Sequence, residues 1–396
     1  MGHYSSRMDT MPVSFLREIL KAANSGKIIS FAGGLPDESL FPGNDLKNAS
    51  IKVLEEQSAK ALQYTVTEGY QPLREWIAER YYKTRGMTVS PSEILITSGS
   101  QQALDLIGKV FINKGDPLLM EGPGYLGAIQ AFSAFEPTLI SIPVNQDGID
   151  IPLLEKALLH NPKLLYLGSS FQNPTSICYS ENIKNRLASQ LASTNTFIVE
   201  DDAYGELSFD GTYKSLIKQL LPDKTILLGS FSKIISPGLR IGWIVAEESL
   251  IRKLTLAKQA TDLHSSNFNQ MLICQYLKEN NPDKHINTIR QHYQYKMQLL
   301  YDTLCKALPP SIAIHKPEGG MFIYLNLPPS VNADELLDKC LKHNLVFVPG
   351  KYFFPDPGLA TGNGIRVNFS CVPPEDIIHG GTLLGRLISE EVNTSS

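Results

Sequence analysis

What this 396-residue sequence lacks narrows it first. Lys and Arg number 36 against 40 Asp and Glu, a net charge of −4, and no basic run stands out. That balance offers no electrostatic face for nucleic acid or a membrane surface, so neither is an expected partner. No apolar stretch approaches the length of a bilayer-crossing helix. Residues 1–10 hold no long apolar segment, so a signal peptide is not expected. Cysteine is sparse: Cys178, Cys274, Cys305, Cys340 and Cys371 are scattered, odd in number and without CxxC spacing. They read as reduced thiols of a cytoplasmic protein rather than a disulfide frame or a zinc site. The eight histidines form no HExxH or other close ligand pair, so no catalytic metal is expected. Internal repeats and low-complexity tracts are missing too.

What remains is an ordinary globular composition, 42% hydrophobic and 19% charged, in a chain long enough for two or three domains. Residues 11–24 show helical spacing (Phe15, Ile19, Leu20), and Ile28–Phe31 reads as a short strand running into Gly33-Gly34-Leu-Pro36. Two helical patterns between Ser50 and Arg85 flank Tyr64-Thr-Val-Thr-Glu-Gly-Tyr70. From Glu93 the texture becomes strand, glycine turn, helix. The strand candidates are Ile94–Thr97, Leu118–Met120, Leu139–Val144, Leu164–Gly168, Thr196–Glu200, Thr225–Gly229 and Ile241–Val245. Short apolar runs separated by helical segments predict an α/β fold with a mostly parallel sheet covered on both faces. Ile241–Val245 follows its predecessor too closely for a helical crossover and is expected to run antiparallel. After a helix over about Lys284–Leu308 come strand candidates Ile312–His315, Met321–Leu325, Leu345–Val348 and Ile365–Phe369, with a helix at Ala333–His343. This divides the chain into an N-terminal segment (1–49), a large α/β domain (50–285) and a smaller α+β domain (286–396) that the N-terminal segment completes.

The chemistry-bearing residues sit where strands end. Ser230-Phe-Ser232-Lys233 follows the apolar run Thr225–Gly229, and Arg240 lies seven residues beyond the lysine. A buried amine beside hydroxyls, glycines and a cation suits covalent carbonyl chemistry near a phosphate. The same residues match the S-x-x-K signature of serine acyl-enzymes, but its Ser-Asp-Asn and Lys-Thr-Gly partners are missing. Thr97-Ser-Gly-Ser100-Gln101 opens a helix, either as an anion site at its N-terminus or as a capped turn. Gly122-Pro-Gly124-Tyr125-Leu-Gly127 matches a dinucleotide fingerprint with Asp147 downstream, yet Pro123 removes a donor and Tyr125 would crowd a pyrophosphate. Asn173-Pro174, then Asp201-Asp202-Ala-Tyr204, end two further strands. Arg366 stands alone on an apolar strand, either as half of a structural ion pair or as a fork for a substrate carboxylate.

Together, Asn173-Pro174, Asp201-x-x-Tyr204, Ser230-x-Ser-Lys233, Arg240 and Arg366 resemble the class I/II aminotransferases, pyridoxal-phosphate enzymes of fold type I. Phe31-Ala-Gly-Gly34-Leu-Pro, Gly99-Ser-Gln-Gln and Glu121-Gly-Pro-Gly-Tyr125 look most like the 2-aminoadipate/kynurenine aminotransferase and MocR-like branch. The aminotransferase pattern starts within the first few dozen residues, so no DNA-reading module is expected. The resemblance implies that Lys233 is joined to the cofactor aldehyde and later carries the proton. It implies that Asp201 pairs with the ring nitrogen, that Tyr204 and Asn173 bond the ring oxygen, and that Tyr125 stacks on the ring. Ser100, Gln101, Ser230, Ser232 and Arg240 would cup the phosphate, with Tyr64 reaching it from the neighbouring subunit of a homodimer. Arg366 would hold the substrate α-carboxylate with Gly34 beside it, and Arg17 would meet a distal carboxylate. The implied reaction moves an amino group from an α-amino acid to a 2-oxo acid such as 2-oxoglutarate; a lyase or decarboxylase of the same fold is the alternative.

Overall fold

The computed structural model describes residues 4–8, 28–355 and 363–394. The helical pattern at 11–24, and Arg17 with it, lies outside the described residues. In chain order the strands are β1 (Ile29–Ser30), β2 (Ile94–Thr97), β3 (Pro117–Gly122), β4 (Thr138–Asn145), β5 (Gly148–Ile149), β6 (Leu164–Leu167), β7 (Phe197–Asp201), β8 (Thr225–Ser230) and β9 (Gly242–Val245). They continue with β10 (Phe322–Asn326), β11 (Leu345–Val346), β12 (Val348–Pro349) and β13 (Gly364–Asn368).

Eight of these form one sheet in the order β2-β9-β8-β7-β6-β3-β4-β5. The strands β4, β3, β6, β7 and β8 run parallel, and β9 is antiparallel to both β8 and β2, as the short connection from β8 requires. β2, β6, β8 and β9 are buried along their whole length. Their sequences are therefore continuously apolar rather than alternating, because both faces are covered. In β6, Leu164 and Tyr166 enter the cluster on one face, with Leu104 and Ile107 of the helix Ser100–Phe111, while Leu165 and Leu167 enter the other, with Leu154 and Leu187.

A second, antiparallel sheet has the order β10-β13-β12, and β1 pairs in parallel with β11. The N-terminal segment thus adds a strand beside the C-terminal part of the chain. The helices Pro282–Ala307 and Pro374–Thr394 approach so closely that a Cβ at Gly385 would lie 2.4 Å from that of Ala307. Among the described residues, no helix is long and apolar enough to cross a membrane.

Three expectations need correcting. Ile312–His315 forms no strand; only Ile314 bridges to Leu325. The run is closed by Pro309 and Pro310 on one side and Pro317 on the other, which leaves little backbone free to pair. Leu345–Val348 splits in two, because Leu345 and Val346 pair with β1 while Val348 and Pro349 pair with β13. The two-residue β5, unforeseen, closes a hairpin on β4 through Gln146-Asp147.

Candidate active site

Parallel α/β sheets gather ligands at the carboxyl ends of their strands. Here the ends of β3, β6, β7 and β8 surround a cavity of about 250 Å³. Lys233 is placed by β8. The strand is buried throughout, and at its end the Ser230 Oγ accepts from the Ser232 N–H (3.1 Å) and donates to the Ser232 Oγ (2.9 Å), capping the short turn Phe231–Lys233. Lys233 Nζ donates to the Gly34 carbonyl at 2.9 Å and lies 5.6 Å from the centre of the Tyr204 ring. Burial, with the charge of Arg366 adding to it, lowers the amine to about 8, against the opposing pull of Asp201. The amine is thus poised to be neutral or charged near neutral pH.

β7 ends in two carboxylates with different surroundings. Asp201 lines the cavity; its Oδ2 accepts from the Tyr166 phenol at 2.9 Å and its Oδ1 from the Ala203 N–H at 3.2 Å. Burial raises its pKa, opposed by these bonds and by Lys233. Asp202 turns away and pairs with Arg85 at 2.7 Å. Three residues past Asp201, the Tyr204 phenol accepts from Asn173 Nδ2 at 3.3 Å, and burial pushes that phenol up.

At one end of the cavity lies the helix Ser100–Phe111, whose cap, Gly99, offers no side chain to the first N–H groups. Ser100, Gln101, Ser230, Ser232 and Arg240 line this end. The Arg240 guanidinium donates only to backbone carbonyls, Ser98 at 3.2 Å and Pro237 at 3.3 Å, and no carboxylate pairs with it among the described residues. Gly99 has φ +83°, and a Cβ there would sit 2.4 Å from Arg240 Nη2. A helix N-terminus, three hydroxyls and an unneutralised guanidinium form a cradle for a phosphate. With Tyr125 on the cavity wall and a carboxylate, an amine and a phenol beyond, the set fits a flat phosphorylated heterocycle bearing an aldehyde and a ring nitrogen. The dinucleotide reading fails on geometry. The Gly124 N–H is spent on the Phe353 carbonyl, a Cβ at Gly127 would strike the Tyr125 ring, and Asp147 sits in the β4–β5 turn.

Arg366, on β13, is 2% exposed and stands outside the cavity wall behind Asn173. It donates to Asn173 Oδ1 (2.9 Å) and the Ala32 carbonyl (2.6 Å), with the Phe322 and Phe353 ring centres 4.4 and 5.0 Å from its guanidinium carbon. Its Nε has no partner, and among the described residues no carboxylate pairs with it. Burial lowers it to about 10. At Gly34 an added Cβ would meet only the Phe322 ring, at 3.4 Å; the close approach there is the carbonyl bond to Lys233. Tyr64 is 77% exposed, edge-on to His264, and does not line its own chain's cavity.

Sequence reasoning missed Glu121, Tyr166 and Gln172, which also line the cavity. Glu121 accepts from the Gly168 N–H (3.0 Å) and the Tyr179 phenol (2.7 Å), and burial raises it to about 8. Gln172 donates to the Pro123 carbonyl at 2.7 Å. One polar residue interrupting an otherwise apolar buried strand, as in Leu-Leu-Tyr-Leu, was the available signal for Tyr166.

A family model described as aminotransferase class I and II matches residues 29–380. Among curated relatives, aromatic-amino-acid aminotransferase 1 of Thermococcus litoralis is 39% identical over 98% of this chain and 95% of its own. The 2-aminoadipate transaminase of Thermus thermophilus is 40% identical over 95% and 94%. Among solved structures, Pyrococcus horikoshii kynurenine aminotransferase, in complex with PMP, matches with a TM-score of 0.93 at 37% identity and covers 98% of each chain. All three are aminotransferases, which does not favour the lyase alternative. The matched fold, a cavity that fits pyridoxal phosphate and these relatives converge: this chain belongs to the class I and II aminotransferases, pyridoxal-phosphate enzymes that move an amino group from an α-amino acid to a 2-oxo acid.

Proposed function

We propose that the donor is an α-amino acid with an aromatic or long acidic side chain, that the acceptor is 2-oxoglutarate, and that the residues around Lys233 divide the work as follows. The observation carrying this reading is the convergence on one cavity of a lysine held near neutrality, a buried carboxylate and an unpaired guanidinium. When bound, pyridoxal phosphate supplies an electron sink for the charge left at the substrate Cα. Lys233 Nζ would take the proton from that carbon and deliver it to the cofactor carbon that bore the aldehyde. Asp201 holds the proton on the ring nitrogen. Tyr204 and Asn173 hold the ring oxygen, and Tyr125 covers the ring. Ser100, Gln101, Ser230, Ser232 and Arg240 hold the phosphate. Arg366 takes the α-carboxylate, exchanging its bond to the Ala32 carbonyl for a stronger charged one, with Gly34 alongside.

The exposure of Tyr64 supports a homodimer in which this phenol reaches the partner's phosphate site. The side-chain preference rests on the named relatives, which act on aromatic amino acids, 2-aminoadipate and kynurenine. Arg17 is our candidate for a distal carboxylate, and the cytoplasm is the compartment that the scattered free cysteines fit. We assign the large domain to 50–285 and the small one to 286–396, with the segment 1–49 joining the small one; the pairing of β1 with β11 supports this.

A half-reaction screen tests the reading. Loaded enzyme should lose its visible band with tyrosine, phenylalanine, kynurenine, 2-aminoadipate and glutamate, and regain it with 2-oxoglutarate. Release of pyruvate and ammonia from a cysteine conjugate without any oxo acid would overturn it.

A further inference from the structure

Tyr166 is the odd member of β6. Leu164, Leu165 and Leu167 fill the strand, and Tyr166 pairs in register with Met120 on one side and Val199 on the other. Its ring is 2% exposed and meets the edge of Phe132 at 6.1 Å between centres. A strand this deeply packed accepts Phe at least as readily as Tyr, since a buried hydroxyl adds only the need for a partner. The partner here is the Asp201 Oδ2, at 2.9 Å.

Asp201 has little else. Its other oxygen accepts from the Ala203 N–H at 3.2 Å, and no cation pairs with it within salt-bridge distance among the described residues. The titratable groups around it are Lys233 from the turn after β8, Tyr125 and Glu121 from the end of β3, and Asp202 and Tyr204 from its own segment. Of these only Lys233 is a cation, and it acts on Asp201 from a distance while its hydrogen bond goes to the Gly34 carbonyl. A buried carboxylate with no paired cation keeps its charge through its hydrogen bonds, and the phenol is one of only two.

We propose that Tyr166 is a positioning residue: its phenol holds Asp201 ionised and aimed, so that the Asp201 carboxylate keeps the cofactor's ring nitrogen protonated. This rests on the role assigned to Asp201 above. A carboxylate stripped of one donor is more basic and draws the shared proton toward itself. The ring nitrogen then carries less positive charge, and the Lys233 nitrogen keeps its own proton to higher pH.

The test is a pH titration of the visible absorbance of the loaded enzyme, with and without Tyr166→Phe. The expected result is a midpoint raised by about half a pH unit or more, kcat lowered about tenfold and KM changed by less than about twofold. In an Asp201→Asn background the same substitution should leave the midpoint where it is, because the phenol acts through the carboxylate. Replacing Tyr166 with 3-fluorotyrosine, a stronger donor of nearly the same shape, should lower the midpoint, and it serves if the Phe variant folds poorly. An unmoved midpoint in Tyr166→Phe, or an equal shift in the Asp201→Asn background, overturns the proposal. A wild-type protein with no visible band at all would instead strike the cofactor assignment beneath it.

Discussion

The two sides of the end of β7 carry similar residues put to opposite use. Behind the strand, Asp202 pairs with Arg85 at 2.7 Å, with side chains 6% and 3% exposed, and Glu206 pairs with Arg80 at 2.9 Å. The guanidiniums of Arg80, Arg85 and Arg290 stand 5.7, 5.8 and 5.1 Å from the centre of one ring, Tyr213. In front, Asp201, Lys233, Arg240 and Arg366 make only neutral hydrogen bonds, to a phenol, an amide side chain and backbone groups. A charge already matched inside the chain has nothing left for a ligand. An unmatched one makes the folded protein pay in desolvation until a ligand arrives. The contrast separates structure from function where residue type does not.

Breaking each side should give different losses. The largest is at the lysine: Lys233→Ala should lower transamination on the order of 10³-fold, read in steady-state turnover, while leaving the cofactor-free protein folded. Next comes the rear network. Arg85→Met leaves Asp202 buried without its cation and should cost about 3–5 kcal/mol in denaturant unfolding. Lys233→Met, which removes an unpaired buried charge, should cost far less in the same cofactor-free assay, and equal costs would erase the contrast. At the phosphate end, Arg240→Lys keeps the charge but not the fork, and should weaken cofactor retention roughly tenfold by equilibrium dialysis. The last effect is on pH dependence, and it is spread over more than two pH units rather than read at one condition. Lys233 titrates near 8 in the folded chain and near 10.5 when unfolded, so between these values the unfolded chain binds the extra proton. Stability of the cofactor-free protein should therefore rise with pH across that window, and the rise should be missing from Lys233→Met.

Much of this was legible in the sequence because buried parallel strands announce themselves as short apolar runs, and their carboxyl ends carry the functional residues. β2, β6, β7 and β8 fall within a residue or two of expectation, and the antiparallel turn of β9 follows from its short connection. The split of Leu345–Val348 was illegible, since which neighbour a strand meets is not written in its own residues. So was the role of Glu121 and Tyr166, polar residues whose partners lie 47 and 35 positions away.

By itself the sequence determined the α/β fold, the lysine at the end of β8 and the family to which both belong, because periodicity and local motifs survive without tertiary context. Only the tertiary structure decided that the neighbouring Asp202 is taken up by Arg85, and which arginines remain unpaired. Pairing and burial are set by residues far apart in the chain, and the desolvation that makes Lys233 a usable base exists only once they have come together.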